Sequence, residues 1–207
     1  MNRLLLIGPP GAGKTVIANK LTEVLSIPFI KTGSLLRDIP VSDPNYKILQ
    51  EFMSKGELAP NEIVGSVVKN EVEKYPEGFI LDGWLRQTSD LEVFDPKLDK
   101  VIFLDCPKEV CEDRILNRVV CRIHGSMYSF SEEVCHLCGG ILEKRSDDTK
   151  ETFENRWDVF EKQTKPVIEM FENQGKLIKI DASKSIPEII FGIQEALKWL
   201  PIKLMKK

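Results

Sequence analysis

A glycine-rich segment near the start of the chain has the residue types and spacing of a phosphate-binding loop. GPPGAGKT, residues 8–15, matches G-x-x-x-x-G-K-[ST] and follows the apolar run RLLLI. Glycines let backbone N–H groups turn towards phosphate oxygens, and the following helix N-terminus adds its dipole. Lys14 of such a loop bridges the β- and γ-phosphates, while the Thr15 hydroxyl ligates Mg²⁺ or a phosphate oxygen. The segment predicts a nucleoside triphosphate site formed by Gly8, Gly11, Ala12, Gly13, Lys14 and Thr15.

A carboxylate further along the chain could complete this site. Asp82 ends the apolar run GFILD, and ligands of open α/β sheets lie beyond the carboxyl ends of the strands. An acid there can hold Mg²⁺ directly or through water. The alternative interpretation is that Asp82 only caps a turn before Gly83, as Asp-Gly pairs often do.

Three of the five cysteines lie in one short segment together with a histidine. Cys121, His124, Cys135 and Cys138 have the spacing C-x₂-H-x₁₀-C-x₂-C. Clustered cysteines in a chain of this length are typical of metal ligands rather than of a disulfide framework. Three thiolates and one imidazole form a closed tetrahedral site, which predicts a structural Zn²⁺. The alternative is a segment without metal, held by hydrogen bonds.

The other cysteines and the second histidine have simpler interpretations. His136 lies between two of the predicted ligands and is expected to be a solvent-facing spacer. Cys106 and Cys111 fall at a predicted strand end and on a predicted helix, so we expect them to be buried.

The elements that must position these residues alternate along the chain. Short apolar runs at 3–7, 28–30, 78–82, 100–105 and 177–181 predict buried strands. Segments 14–25, 60–75 and 107–118 between them have apolar residues at helical spacing. This alternation predicts a five-stranded parallel sheet with helices on both faces. Asp148 with Glu151 has the pattern of a helix cap, which predicts a long helix to about residue 173.

Composition excludes several function classes. The 207 residues are 42% hydrophobic and 29% charged, which is typical of one globular domain with small inserts. The net charge of −3 argues against a general electrostatic attraction to nucleic acid or to an anionic membrane. No apolar run approaches the ~20 residues of a membrane span. The first segment lacks the apolar centre of a signal peptide, so we expect a cytoplasmic protein, with no obligate protein partner.

Six of the eight arginines lie where they could hold phosphate oxygens, which a planar guanidinium does in a fixed geometry. Seven motifs that include them occur in an order that resembles the adenylate kinase family over almost the whole chain. The motifs are GPPGAGK (8–14), TGSLLR (32–37), GELAP (56–60), GFILDGWLR (78–86), RILNR (114–118), RSDD (145–148) and ETFENR (151–156).

The resemblance implies a P-loop NTPase fold: α/β, with a five-stranded parallel sheet flanked by helices, a helical NMP-binding insert and a small zinc-binding lid. The implied boundaries are 1–31, 63–118 and 149–207 for the core, 32–62 for the insert and 119–148 for the lid. The implied reaction is the reversible, Mg²⁺-dependent transfer of the ATP γ-phosphoryl group to AMP, giving two ADP.

The resemblance also implies a role for each matching residue. The catalytic cations would be Lys14, Arg86, Arg118, Arg145 and Arg156. The acceptor nucleotide would be held by Thr32, Gly33, Arg37, Leu58, Gly83, Arg86 and Asp90. Arg114 would lie over the donor adenine, and Asp147 and Asp148 would order the lid arginines. Thr15 and Asp82 would be associated with Mg²⁺.

Departures from the family pattern concern mainly the acceptor base. Val16 stands where the family has an α-phosphate-binding Thr, and Ser34, Ala59 and the pair Trp84-Leu85 also differ.

Asp90 stands where the family has a Gln that reads AMP. An ionised carboxylate only accepts hydrogen bonds, so it could take the two parallel donors of guanine. The hypotheses are therefore a GMP-preferring or broad-specificity kinase, or AMP use with Asp90 pointing to solvent.

Two further function classes compete with an NMP kinase. One is a P-loop protein whose zinc module serves binding or scaffolding without catalysis, and the other is a kinase for an unphosphorylated nucleoside or sugar. Arg37 and Arg86 favour an acceptor that already carries a phosphate.

Overall fold

The computed structural model describes residues 2–121, 123, 127–129 and 132–197. The strands are β1 (Asn2–Ile7), β2 (Phe29–Lys31), β3 (Gly78–Asp82), β4 (Lys100–Asp105), β5 (Arg118–Val120), β6 (Met127–Ser129) and β7 (Leu177–Asp181). The helices are α1 (Lys14–Leu25), α2 (Thr32–Arg37), α3 (Tyr46–Lys55), α4 (Asn61–Val72), α5 (Asp90–Val93), α6 (Lys108–Leu116), α7 (Lys150–Val159), α8 (Lys165–Asn173) and α9 (Ile186–Leu197).

Five strands form one parallel sheet in the order β2-β3-β1-β4-β7. The predicted fold class is confirmed, and each predicted strand agrees with the structure to within one residue at either end. These short runs form strands because both of their faces are covered: all five residues of β3 are buried.

Each face of the sheet has its own hydrophobic core, since successive side chains of a strand point in opposite directions. Leu5 and Ile7 of β1 pack on one face, mainly with α4 and α8. Leu4 and Leu6 pack on the other, with α1, α6 and α9. These two cores hold the strands in place, so the carboxyl ends of the central strands lie at one edge of the sheet. The phosphate loop lies at the same edge.

The segment with the clustered cysteines contains a small sheet that the sequence analysis did not predict. Strands β5 and β6 pair antiparallel, and isolated bridges join Val120 to Glu143 and Val134 to Ile141. Strands of three residues are too short to show an alternating pattern of apolar side chains, so the sequence did not indicate them.

The long helix after this segment differs from the prediction in two ways. Its N-cap is Thr149, whose hydroxyl accepts the Thr152 N–H at 3.1 Å, so the predicted cap at Asp148 is wrong. The Asp148 carboxylate is instead paired with Arg118, an interaction between residues 30 apart that local pattern cannot show. The helix does reach residue 173, but a π-helical turn over Phe160–Thr164 separates α7 from α8.

Across the part of the chain that the structure describes, every helix is too short or too polar to cross a lipid bilayer.

Candidate active site and metal-binding lid

The phosphate loop runs from the end of β1 to the start of α1, and its glycines adopt conformations that other residues avoid. Gly11 and Gly13 both have φ of +88°. A Cβ on Gly11 would lie 2.3 Å from the carbonyl oxygen of Cys111, so the loop and α6 are in direct backbone contact. Glycine at position 11 thus allows both the turn and this close approach.

Lys14 folds back over the loop that precedes it. Its ammonium group donates hydrogen bonds to the carbonyl oxygens of Gly8 and Pro9, both at 2.9 Å. Burial lowers the pKa of Lys14, and the charge of Asp82 acts in the opposite direction. The lysine is therefore already positioned among the loop carbonyls, beside a carboxylate.

Asp82 and Thr32 carry buried polar atoms in this region that have no hydrogen-bond partner among the described residues. Asp82 is 6% exposed and Thr32 is 2% exposed. Asp82 Oδ1 and the Thr32 hydroxyl accept or donate no hydrogen bond within the described ranges. Buried polar atoms are normally satisfied, so both are suited to a ligand, and a carboxylate oxygen fits a hydrated Mg²⁺.

One cavity of about 730 Å³ collects the predicted nucleotide-binding residues from distant parts of the chain. Its lining includes Gly8, Gly11, Ala12, Gly13, Lys14, Thr15, Thr32, Gly33, Arg37, Leu58, Asp82, Gly83, Arg86, Asp90, Arg114, Arg118, Arg145 and Arg156. Thus every residue predicted to bind nucleotide or Mg²⁺ lies at this cavity, together with Asp147, whereas Asp148 does not line it.

Three guanidinium groups of this cavity are held by two aspartates. Arg118 makes a bidentate pair with Asp148, with both N–O distances 2.6 Å. Arg145 and Arg156 both donate to Asp147, the latter at 2.6 Å. Burial would raise the pKa of Asp147, yet its hydrogen bonds and charge interactions with the two arginines hold that pKa well below the ordinary value. The arginines are therefore pre-arranged in a charged cluster.

Three other cations of the cavity differ from that cluster. The side chains of Lys31, Arg37 and Arg86 line the cavity, and none makes an ion pair within the described ranges. Burial lowers the pKa of Lys31, Asp82 raises it, and Arg37 lowers it again. Cations placed together without a direct ion pair indicate an anionic ligand.

Lys31 is a candidate site residue that the sequence analysis missed. It ends β2, and its Cα is the sheet partner of Asp82. One feature of the sequence indicated that Lys31 could belong to the site. It lies directly before the TGSLLR motif, at the carboxyl end of a short strand. A single lysine there is not distinguishable from a surface residue until the strand order is known.

Asp90 caps a backbone turn. It is 4% exposed, and its Oδ2 accepts the backbone N–H groups of Arg86 at 2.8 Å and Gln87 at 3.2 Å. The hypothesis that Asp90 points to solvent is therefore wrong.

Arg114 and Trp84 have defined protein partners as well. Arg114 Nη1 donates to the Ala182 carbonyl oxygen at 2.9 Å, which fixes the guanidinium at the cavity wall. Trp84 is buried, and its indole N–H donates to the Phe94 carbonyl oxygen at 3.1 Å.

The sulfur atoms of Cys121, Cys135 and Cys138 converge in the segment that contains the small sheet. These ligand atoms lie within 4.8 Å of one another, and the Cys121 and Cys138 Sγ atoms are 3.8 Å apart. Zn–S bonds of about 2.3 Å at tetrahedral angles require sulfur atoms about 3.8 Å apart. The three thiols could thus hold a metal ion, whereas the predicted fourth ligand, His124, lies outside the described residues.

The remaining cysteines and histidine agree with the sequence-based predictions. Cys106 and Cys111 are buried, and burial together with Cys106 raises the pKa of Cys111 to about 12. His136 is exposed, with its Nε2 3.0 Å from a Glu132 carboxylate oxygen.

A phosphate loop after the first strand of a parallel sheet, facing a cavity lined with arginines, defines a P-loop protein that binds nucleotide phosphates. The model of the family described as adenylate kinase matches residues 6–176. The curated relatives include a protein named adenylate kinase from Carboxydothermus hydrogenoformans, 39% identical over 95% of this chain and 99% of the relative.

Proteins of the same name from Clostridium tetani and Methanosarcina mazei are 37% and 34% identical, each over 94% of this chain and 97% of the relative. The chain belongs to the adenylate kinase family, and the resemblance noted in the sequence is confirmed.

Proposed function

We propose that this protein is an adenylate kinase, a phosphotransferase that moves the γ-phosphoryl group of ATP to AMP and back. The observation that carries the proposal is the set of residues that line one cavity. It joins a phosphate loop to three cations that make no ion pair within the described ranges, Lys31, Arg37 and Arg86. Two phosphate-bearing ligands would account for both groups, and family membership supports ATP and AMP.

The donor half of the site would be built on the loop and α6. Backbone N–H groups of residues 8–15 and the Lys14 ammonium would bind the triphosphate, and Arg114 would lie against the donor base. Mg²⁺ would be held near Thr15 and Asp82, whose buried Oδ1 fits that use. When bound, Mg²⁺ would neutralise phosphate charge and orient the phosphate oxygens.

The acceptor half would use the cations that make no ion pair with any residue the structure describes. Arg37, Arg86 and Lys31 would bind the AMP phosphate, while Thr32, Gly33, Leu58 and Gly83 would line the space for its base. The cluster of Arg118, Arg145 and Arg156 would surround the phosphoryl group as it moves. Phosphoryl transfer requires mainly alignment, charge stabilisation and exclusion of water, and the first two of these are tasks for positioned cations.

The geometry around Asp90 favours AMP over GMP as the acceptor. Acceptance of two parallel guanine donors needs both carboxylate oxygens, and Oδ2 already accepts two backbone N–H groups. A broad acceptor range through backbone contacts stays open as the second candidate.

A coupled assay of ATP with AMP, GMP, CMP and UMP tests the function. We expect AMP to give the highest kcat/KM, and Arg37→Met to lower it at least a hundredfold, because a charged contact to phosphate is lost. The exposed Lys20→Met serves as a matched control. Turnover with nucleosides but not with NMPs would indicate the nucleoside kinase, and ATP binding without any turnover would indicate the non-catalytic class.

The lid would hold a structural Zn²⁺ through Cys121, Cys135, Cys138 and His124. The sulfur separations fit tetrahedral zinc, and so small a segment has no large core of its own, so that metal binding would supply its folding energy. Metal analysis for zinc and iron should find one zinc per chain, lost in Cys138→Ser and retained in the control Cys106→Ser. A content well below one would contradict the assignment. Reduced cysteines of this kind fit a cytoplasmic location.

A further inference from the structure

The backbone of Arg86 is held from two sides by buried side chains. Asp90 accepts its N–H at 2.8 Å, and the Thr164 hydroxyl donates to its carbonyl oxygen at 3.0 Å. Thr164 is 5% exposed. The preceding residue, Leu85, has φ of +56°, a left-handed conformation that costs free energy for a branched side chain. Such a conformation persists where surrounding contacts hold it in place. The two hydrogen bonds to the Arg86 backbone are contacts of this kind.

Thr164 reaches Arg86 from the π-helical turn, 78 residues later in the chain. The turn is closed by the Lys165 N–H bonding to the Phe160 carbonyl oxygen, five residues back. A helical threonine commonly directs its hydroxyl to a carbonyl of its own helix four residues earlier. Thr22 of α1 does this with Ala18 at 3.0 Å, whereas Thr164 bonds to another element.

The π turn also decides which residues share a face of the long helix. Arg156 and Thr164 are eight residues apart, and eight steps of ~100° leave them ~80° apart around an ordinary α-helix. A π turn accommodates one additional residue, so the rotation about the helix axis from Arg156 to Thr164 equals seven ordinary steps. This rotation is about 20° short of two full turns. Both side chains therefore face the cavity. In an uninterrupted α-helix, Gln163 would take the position of Thr164.

We propose that Thr164 is a positioning residue for Arg86, and that the π turn places it on the same helix face as Arg156. The inference rests on the proposed function, in which Arg86 binds the acceptor phosphate. Through Thr164, the helix that presents Arg156 to the transferring group also fixes the backbone from which Arg86 extends. Loss of the hydroxyl would leave the Arg86 carbonyl oxygen without this donor and loosen the acceptor side of the site.

The test compares Thr164→Val, which keeps the shape and removes the hydroxyl, with Thr164→Ser, which keeps the hydroxyl. We expect Thr164→Val to raise the KM for AMP about tenfold, the effect of one buried hydrogen bond, with the KM for ATP changed less than twofold. Thr164→Ser should restore most of the AMP affinity. Thr22→Val, which removes a helical hydroxyl outside the cavity, should leave both KM values unchanged.

Several results would overturn the proposal. An unchanged KM for AMP in Thr164→Val, with only a lower melting temperature, would make the residue merely structural. Equal increases for ATP and AMP would also contradict an acceptor-specific role. If Thr164→Val does not fold, Asp90→Asn provides the test. It weakens the hydrogen bond to the Arg86 N–H on the other side of the same residue and should raise the KM for AMP selectively. Absence of any NMP kinase activity in the unaltered protein would instead refute the proposed function.

Discussion

The contact between the phosphate loop and α6 can be tested with one added methyl group. In Gly11→Ala, the new Cβ would lie 2.3 Å from the Cys111 carbonyl oxygen and 2.9 Å from the Cys111 carbonyl carbon. Ordinary contacts are about 1 Å longer, so either the loop or α6 must shift. Because α6 also carries Arg114, we expect the shift to disturb the proposed donor site.

Gly13 provides a matched control in the same loop. It has the same φ of +88°, but a Cβ there would meet nothing within 4 Å. Both alanine variants therefore bear the left-handed strain of about 1–2 kcal/mol. Only Gly11→Ala adds the overlap, for which overpacking of a tight interior costs about 1–3 kcal/mol.

These free energies translate into melting temperatures. For a chain of this size, 1 kcal/mol corresponds to roughly 2–4 °C. Gly13→Ala should lower the melting temperature by about 2–8 °C, and Gly11→Ala by about 2–12 °C more. The assay is thermal unfolding without nucleotide, followed by the KM for ATP. Equal melting temperatures in the two variants would refute the reasoning, since the overlap would then have no consequence.

Three further predictions follow from charge and burial. Lys31→Met should lower kcat/KM about tenfold with little loss of stability, because Lys31 lines the cavity without an ion pair among the described residues; unchanged kinetics would contradict its proposed phosphate contact. Asp147→Asn should reduce the free energy of unfolding by about 2 kcal/mol at pH 7. Since the pKa of Asp147 is depressed, that difference should stay constant down to about pH 5 and shrink as the pH falls below 3.8; a difference that grows in acid would contradict the ion pairs. Iodoacetamide should spare Cys106 and Cys111 in the native protein, because both are buried and the pKa of Cys111 is about 12; rapid native-state labelling of either, read by mass spectrometry, would show otherwise.

The sequence by itself determined the features that depend on local chain chemistry. The phosphate loop was predictable because backbone geometry, glycine conformations and the Lys14 side chain are all specified within residues 8–15. Strands such as β3 were predictable because a fully buried strand must be apolar at every position. The cysteine spacing likewise predicted that Cys121, Cys135 and Cys138 come together, and their sulfur atoms lie within 4.8 Å of one another.

Tertiary structure decided where several polar side chains form their hydrogen bonds. Asp148 had the sequence pattern of a helix cap, but a guanidinium 30 residues away competes for its carboxylate and leaves the cap to Thr149. Asp90 occupied the position of a base-reading residue, yet two N–H groups of the adjacent turn are bonded to its Oδ2. A polar side chain bonds to the best partner within reach, and that partner is known only after folding.

Lys31 and Thr164 show the same limit for residues with no motif of their own. Lys31 enters the site because β2 pairs with β3 and brings it beside Asp82. Thr164 enters because one π turn rotates it towards the cavity. Strand order and helix register arise from packing over the whole sheet, so no local window of sequence contains them.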